Sequence, residues 1–245
     1  MGILAPVEVA VFTTIRTVAN TALQGANVIM YPVLPDIVRY HFRREPEKLA
    51  AVFGLVWCAA GTLVCLGFSV GSPILEPLYT FWTRKALPFD PLLFSLVVLS
   101  VCFRQWATPL QTYLYGVNLL PPQTVAVLVR AIVTLSLAWA FLKQGGIPVA
   151  GMSLLAGEIL AAAICFFAAR RCIKEMGGRI PLAPVLLSIF QIGAMGIGLL
   201  VCAQFPAYST WGVAGAASGV LLSAFFQWRN LDGDVKRRVL GLLAR

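Results

Sequence analysis

Seven apolar runs of membrane-crossing length alternate with short polar connectors along the chain. They cover roughly Pro6–Pro35, Leu49–Leu78, Pro91–Val117, Gln123–Leu142, Pro148–Ala169, Pro184–Phe205 and Trp211–Trp228. About 20 consecutive apolar residues suffice to cross the hydrocarbon core as a helix. The first two runs exceed that length and are expected to tilt or to extend past the bilayer. No stretch has the alternation of an outer-membrane barrel strand. The pattern predicts an all-α fold: a polytopic transmembrane bundle of about seven spans over residues 1–228, a single domain, followed by a basic tail over 229–245.

Two of the runs carry polar stripes. In the first, Thr13, Arg16, Thr17, Asn20, Thr21, Gln24, Asn27 and Tyr31 recur every three or four residues, which places them on one helix face. The remaining face is Phe12, Ile15, Val18, Ala19, Ala22, Leu23, Ala26 and Ile29. In the third, Arg104, Thr108, Gln111, Tyr115 and Asn118 repeat the pattern, opposite Leu99, Val101, Cys102, Phe103, Ala107 and Leu110. At 1.5 Å per residue, Arg16 sits roughly 15 Å from Pro6 and Arg104 about 20 Å from Pro91. Both are deep. A guanidinium at that depth is costly and is expected to face a hydrated cavity or a partner. Two matching stripes therefore point to a shared wet cavity, or else to hydrogen bonding that joins helices within the bundle.

Composition agrees with the pattern. Of 245 residues, 59% are hydrophobic and 12% charged, and the mean hydropathy is +0.84. A soluble domain carries about 25% charged residues. The net charge of +9 would suggest nucleic acid in a soluble chain, but its distribution reports orientation instead. Arg39, Arg43, Arg44, Lys48, Arg170, Arg171, Lys174, Arg179, Arg229, Lys236, Arg237, Arg238 and Arg245 fall on one side. Arg84, Lys85 and Lys143 fall on the other. The positive-inside rule then puts the C-terminus in the cytoplasm and the N-terminus outside. Met1–Pro6 has no basic segment of a signal peptide, and a polar-striped helix inserts poorly by itself. The expectation is a piece whose upstream helices are missing.

Arg130 and Glu158 are the other charges inside spans. Arg130 is expected either to snorkel to the interface or to line the cavity. Glu158, beside Gly157, is expected to pair with an arginine or to serve as a protonation site. Asp36, Glu45 and Glu47 read as solvated connector residues. The six cysteines read as small apolar filler, and with His41 the only histidine there is no metal-ligand spacing. Pro32 and Pro35 are expected to end the first helix, and Pro109 to interrupt the third span. Leu87–Pro91 is a sharp turn, and Gly215-xxx-Gly219 offers a small-residue packing face.

The stretches VAVFTTIRTVANTALQGANVIMYPVLPDIVR, LPFDPLLFSLVVLS and TPLQTYLYGVN, within residues 1–118, resemble the C-terminal half of a polysaccharide-biosynthesis membrane protein. The family is that of the Wzx-type O-antigen flippases, in the multidrug/oligosaccharidyl-lipid/polysaccharide exporter superfamily. Beyond residue 118 the likeness is one of hydropathy alone. The resemblance implies two lobes with twelve to fourteen helices, in the bacterial cytoplasmic (inner) membrane. It implies alternating-access flipping of undecaprenyl-diphosphate-linked oligosaccharide for O-antigen and lipopolysaccharide synthesis. It would start this chain at the eighth of fourteen helices, with the whole first lobe and the helix that opens the second missing.

The chemistry fits such a cargo. A diphosphate with a sugar head needs cations plus amide or hydroxyl partners in a wet groove. Arg16 and Arg104 suit the phosphates; Asn20, Gln24, Asn27, Gln111 and Tyr115 suit the sugar. No phosphate-binding GxxxxGK[ST] loop, catalytic constellation, cofactor site or metal site is apparent in the sequence, so a transporter rather than an enzyme is expected, without nucleic acid as a partner. A multidrug cation antiporter calls for carboxylates in the cavity. A retinal protein calls for a lysine in the last span, which Trp211–Trp228 lacks, and a receptor calls for an ordered outer segment.

Overall fold

The computed structural model describes residues 5–205, 209–230 and Gly233. Among them are eight α-helices and no strand. They are α1 (Pro6–Met30), α2 (Leu34–Phe42), α3 (Pro46–Trp82), α4 (Pro91–Gly116), α5 (Leu120–Gly145), α6 (Pro148–Glu175), α7 (Leu182–Gln204) and α8 (Ser209–Asn230). Helices α3 to α8 are each long and apolar enough to cross a membrane. Helix α1, at 25 residues, has the length, but its polar stripe keeps it out of that apolar set. The chain is an all-α membrane bundle of six to seven spans.

Proline and glycine set the boundaries. Pro46, Pro91, Pro121 and Pro148 stand in the first turn of their helices, where a missing N–H costs nothing. Asp90 caps α4 by accepting from the Leu93 amide at 2.9 Å. Gly146 and Gly177 close α5 and the turn after α6 with φ of +65° and +82°, a region that favours glycine. Pro32 ends α1 through a short 3-10 turn, Tyr31–Val33.

Three expectations need correction. The first connector is not all loop: it contains amphipathic α2, which opens on a proline and folds a buried Ile37 and Tyr40 onto the bundle. Pro109 does not interrupt α4, which runs unbroken from Pro91 to Gly116; membrane helices tolerate proline where neighbours support the freed carbonyl. Gly215 is not the packing glycine, because a Cβ there would meet open space. The close approach uses Gly212 and Ala216 against Gly198, and Gly219 against Ala194.

Helix α4 is the centre, packing on α1, α3, α6 and α7. Leu93, Val97, Val98, Leu110, Tyr113 and Leu114 are fully buried along it. Phe53, Trp57, Trp106 and Phe166 form a chain of rings 5.5–5.8 Å apart that ties α3, α4 and α6 together. The Trp106 indole N–H donates to Ser188 Oγ at 2.8 Å and so adds α7. Hairpins α5–α6 and α7–α8 flank this centre, and α5 lies outermost, packed mainly on α6.

One end of the bundle gathers α2, the end of α4, the α6–α7 turn and the end of α8. Val38 lies against Gly116, and Pro46 lies against Gly178. His41 Nδ1 is 2.9 Å from the Tyr113 hydroxyl, which donates to Cys172 Sγ at 3.2 Å. Gln227 reaches the Pro184 carbonyl. The basic connectors therefore share one end; Lys236, Arg237, Arg238 and Arg245 of the expected tail lie outside the described residues.

Candidate functional site

Helix α1 buries Val11, Ile15, Ala19 and Leu23 at four-residue steps and half-buries Phe12 and Val18. Its polar ladder is thereby turned away from the core. From Arg16 to Thr21 the ladder spans an arc of roughly 140°, at 3.6 residues per turn. Arg16, Thr17, Thr21 and Gln24 are exposed, while Asn20 and Asn27 are half-buried. The hydroxyls of Thr13, Thr17 and Thr21 donate to the carbonyls of Val9, Thr13 and Thr17 at 2.8–2.9 Å. Their donors are satisfied in place, which leaves oxygen lone pairs facing outward. Asn27 Oδ1 is buried without a hydrogen-bond partner among the described residues. The side chains of Ala22, Ala26, Ile29 and Tyr31 lie outside the described residues.

One edge of the ladder opens on a cavity. Thr17 and Thr21 share about 420 Å³ with Leu75, Leu78, Tyr79, Phe81, Trp82 and Phe89. This aromatic wall at the end of α3 was not anticipated from the sequence. It is an apolar surface with two threonine oxygens on it. Arg16 lies on the opposite edge of the ladder from these threonines.

On α4, Arg104 and Tyr115 are exposed and Thr108 and Gln111 half-buried. Neither Arg16 nor Arg104 has a carboxylate within ion-pair distance among the described residues. Gln111 leans toward α6 and the Cys165 thiol. Its carbonyl accepts from Gln123 Nε2 at 2.8 Å.

Beside that contact is the charge pair. Arg130 Nη1 lies 3.4 Å and 3.5 Å from the two oxygens of Glu158. Gly157 allows it: a Cβ there would meet the Arg130 carbonyl at 2.9 Å and crowd Thr134. Arg130 stands about 15 Å along α5 from Leu120 and turns inward, so pairing and not snorkelling describes it. The structure thus brings Gln111, Arg130 and Glu158 into one polar group between α4, α5 and α6. Arg16, Asn20, Gln24 and Asn27 form a separate arc on α1.

A second polar group was also missed. Gln191 is fully buried and donates to Thr62 Oγ1 at 3.0 Å and to Gln227 Oε1 at 3.4 Å, linking α7 to α3 and α8. Isolated glutamines in apolar runs carry no stripe, so only the packing reveals that they meet. No protein family, curated protein or solved structure matches this chain.

Proposed function

We propose that this chain is part of a membrane transporter that flips a lipid-linked oligosaccharide, in the manner of undecaprenyl-diphosphate carriers, for cell-surface polysaccharide synthesis. One observation carries the reading: a helix of membrane-crossing length, α1, packs its apolar stripe inward and holds Arg16, Asn20 and Gln24 on an open arc. Lipid cannot satisfy that arc. A hydrated cargo with phosphates and hydroxyls can. Arg104 and Tyr115 on α4 offer a second cation and a second hydroxyl, and among the described residues no carboxylate pairs with either arginine, which keeps both available to an anion.

The bacterial inner membrane is the compartment in which such a cargo is made, and the basic end of the bundle would face the cytoplasm. The exposed arc implies a facing wall, so the chain acts with a further lobe. In a full-length, complementing version, Arg16→Ala and Arg104→Ala each impair glycan export while membrane insertion is retained. Arg→Lys restores part of the export, since charge returns without the bidentate fork. Normal export by the Ala double variant would return both ladders to helix-joining roles.

A further inference from the structure

Where α6 turns into α7, the surface holds a groove of about 490 Å³ walled by Arg170, Lys174, Gly178, Arg179, Ile180, Pro181 and Leu182. Its composition is lopsided. Among the described residues the wall holds three cations and three apolar side chains, Ile180, Pro181 and Leu182, and no carboxylate. The nearest acid along α6 is Glu175, held by Arg171 Nε at 3.2 Å on the neighbouring face of the helix. Arg170 and Lys174, one turn apart, share the face that meets the groove.

The backbone adds to the positive side. Pro181 starts α7 without a side-chain cap, so the first amides, Leu182 and Ala183, have no side-chain acceptor at the positive end of a 23-residue helix. The opposing carbonyl end of α6 is closed by its own turn. The Gly177 and Gly178 amides donate to Lys174 and Ile173 carbonyls at 2.9 Å and 3.0 Å, which blunts the negative end. The net field in the groove favours an anion. Leu182 is 58% exposed at the end of a membrane-crossing helix, where an acyl chain would lie.

We propose that this groove binds the phosphodiester headgroup of an anionic phospholipid. Arg170, Lys174 and Arg179 contact the phosphate, and Leu182 contacts the start of an acyl chain. The site lies at the basic end of the bundle, away from the α1 ladder, and does not depend on the translocation reading.

The test is native mass spectrometry of the detergent-solubilised full chain titrated with phosphatidylglycerol or with neutral phosphatidylcholine. The wild type should retain one phosphatidylglycerol in preference to phosphatidylcholine. Arg170→Gln/Lys174→Gln should weaken retention roughly 30-fold, about fivefold for each cation removed. Arg43→Gln/Arg44→Gln, equal in charge and at the same end of the bundle, should leave it unchanged. Equal loss in both double variants, or equal retention of the two lipids, would overturn the site in favour of diffuse attraction. Displacement by inorganic phosphate as potent as that by free lipid would overturn the lipid assignment in favour of a bare phosphate site. Should the double variant not fold, Arg179→Gln, outside the helices, carries the same test with a loss of roughly fivefold.

Discussion

The Arg130 guanidinium straddles the two oxygens of Glu158 at 3.4 Å and 3.5 Å, while charge-assisted contacts usually lie at 2.7–2.9 Å. Glu158 is only 5% exposed and Arg130 is half-buried, so in this pair a buried carboxylate is loosely held by a partly exposed cation. Breaking it from one side leaves a carboxylate in an apolar setting, and Arg130→Met should cost about 3–5 kcal/mol. Arg130→Met/Glu158→Leu should recover most of that, because both charges leave together. Thermal unfolding in detergent, arranged as a double-mutant cycle, measures the coupling. If Glu158→Gln melted like wild type but lost export, the carboxylate would be a protonation site and not only a partner for Arg130.

The α7–α8 contact gives a sharper structural test. A side chain at Gly198 would meet the Gly212 carbonyl at 2.8 Å, whereas Gly215 faces open space. Gly198→Leu or Gly212→Leu should therefore destabilise by about 1–3 kcal/mol through overpacking. Gly215→Leu should stay within about 0.5 kcal/mol of wild type. Melting temperatures of the three variants decide which glycines form the contact.

That contrast shows what the sequence discloses and where it stops. The α1 face was legible because polar residues recur at helical spacing in an apolar run, and Ile15, Ala19 and Leu23 are buried as the complementary stripe requires. The Leu87–Pro91 turn was legible through its proline and through Asp90, which caps α4. The glycine contact was not, since Gly212, Gly215 and Gly219 offer equally small faces and only the position of α7 selects among them. Helix α2 was hidden for another reason: seven of its nine residues lie in a charged connector between Pro35 and Pro46, where local signals read as loop. Snorkelling and cavity lining both stayed open for Arg130 because the apolar run starts at Gln123; the extra turn from Leu120 moves it inward.

Orientation can be tested directly. The first connector and the α6–α7 turn meet at one end of the bundle, where Pro46 lies against Gly178. Arg43→Cys and Arg171→Cys should thus share a side, opposite Lys85→Cys and Lys143→Cys. In a background without the six native cysteines, an impermeant maleimide applied outside should label positions 85 and 143 only. Labelling of position 43 from outside would reverse the positive-inside assignment.

His41 links the basic end to pH. Burial lowers its pKa from the ordinary 6.5, because the charged imidazole loses water on docking beside Tyr113. A depressed folded value means that the unfolded chain takes up the proton first. The contribution of His41 is therefore full above about pH 6.5 and is lost as pH falls through the lower folded value. The melting-temperature difference between wild type and His41→Gln should shrink from about pH 7.5 to about pH 5. A constant difference would separate the His41–Tyr113 contact from any pH response.

The exposed ladder of α1 makes the strongest demand on the surroundings. Arg16, Thr17, Thr21 and Gln24 are exposed, and α1 packs its opposite stripe on α3 and α4. Hydrocarbon offers no hydrogen bonds, so each unsatisfied group placed there costs several kcal/mol. Water or another protein surface must cover the arc. Inefficient insertion or self-association is the outcome expected of this chain expressed alone, with no transport. Co-expression with an N-terminal lobe that supplies the facing wall should restore export and protect Arg16→Cys from water-soluble maleimide. A stable monomer of this chain that flips lipid-linked oligosaccharide in liposomes would show that the arc closes its own cavity and needs no second lobe.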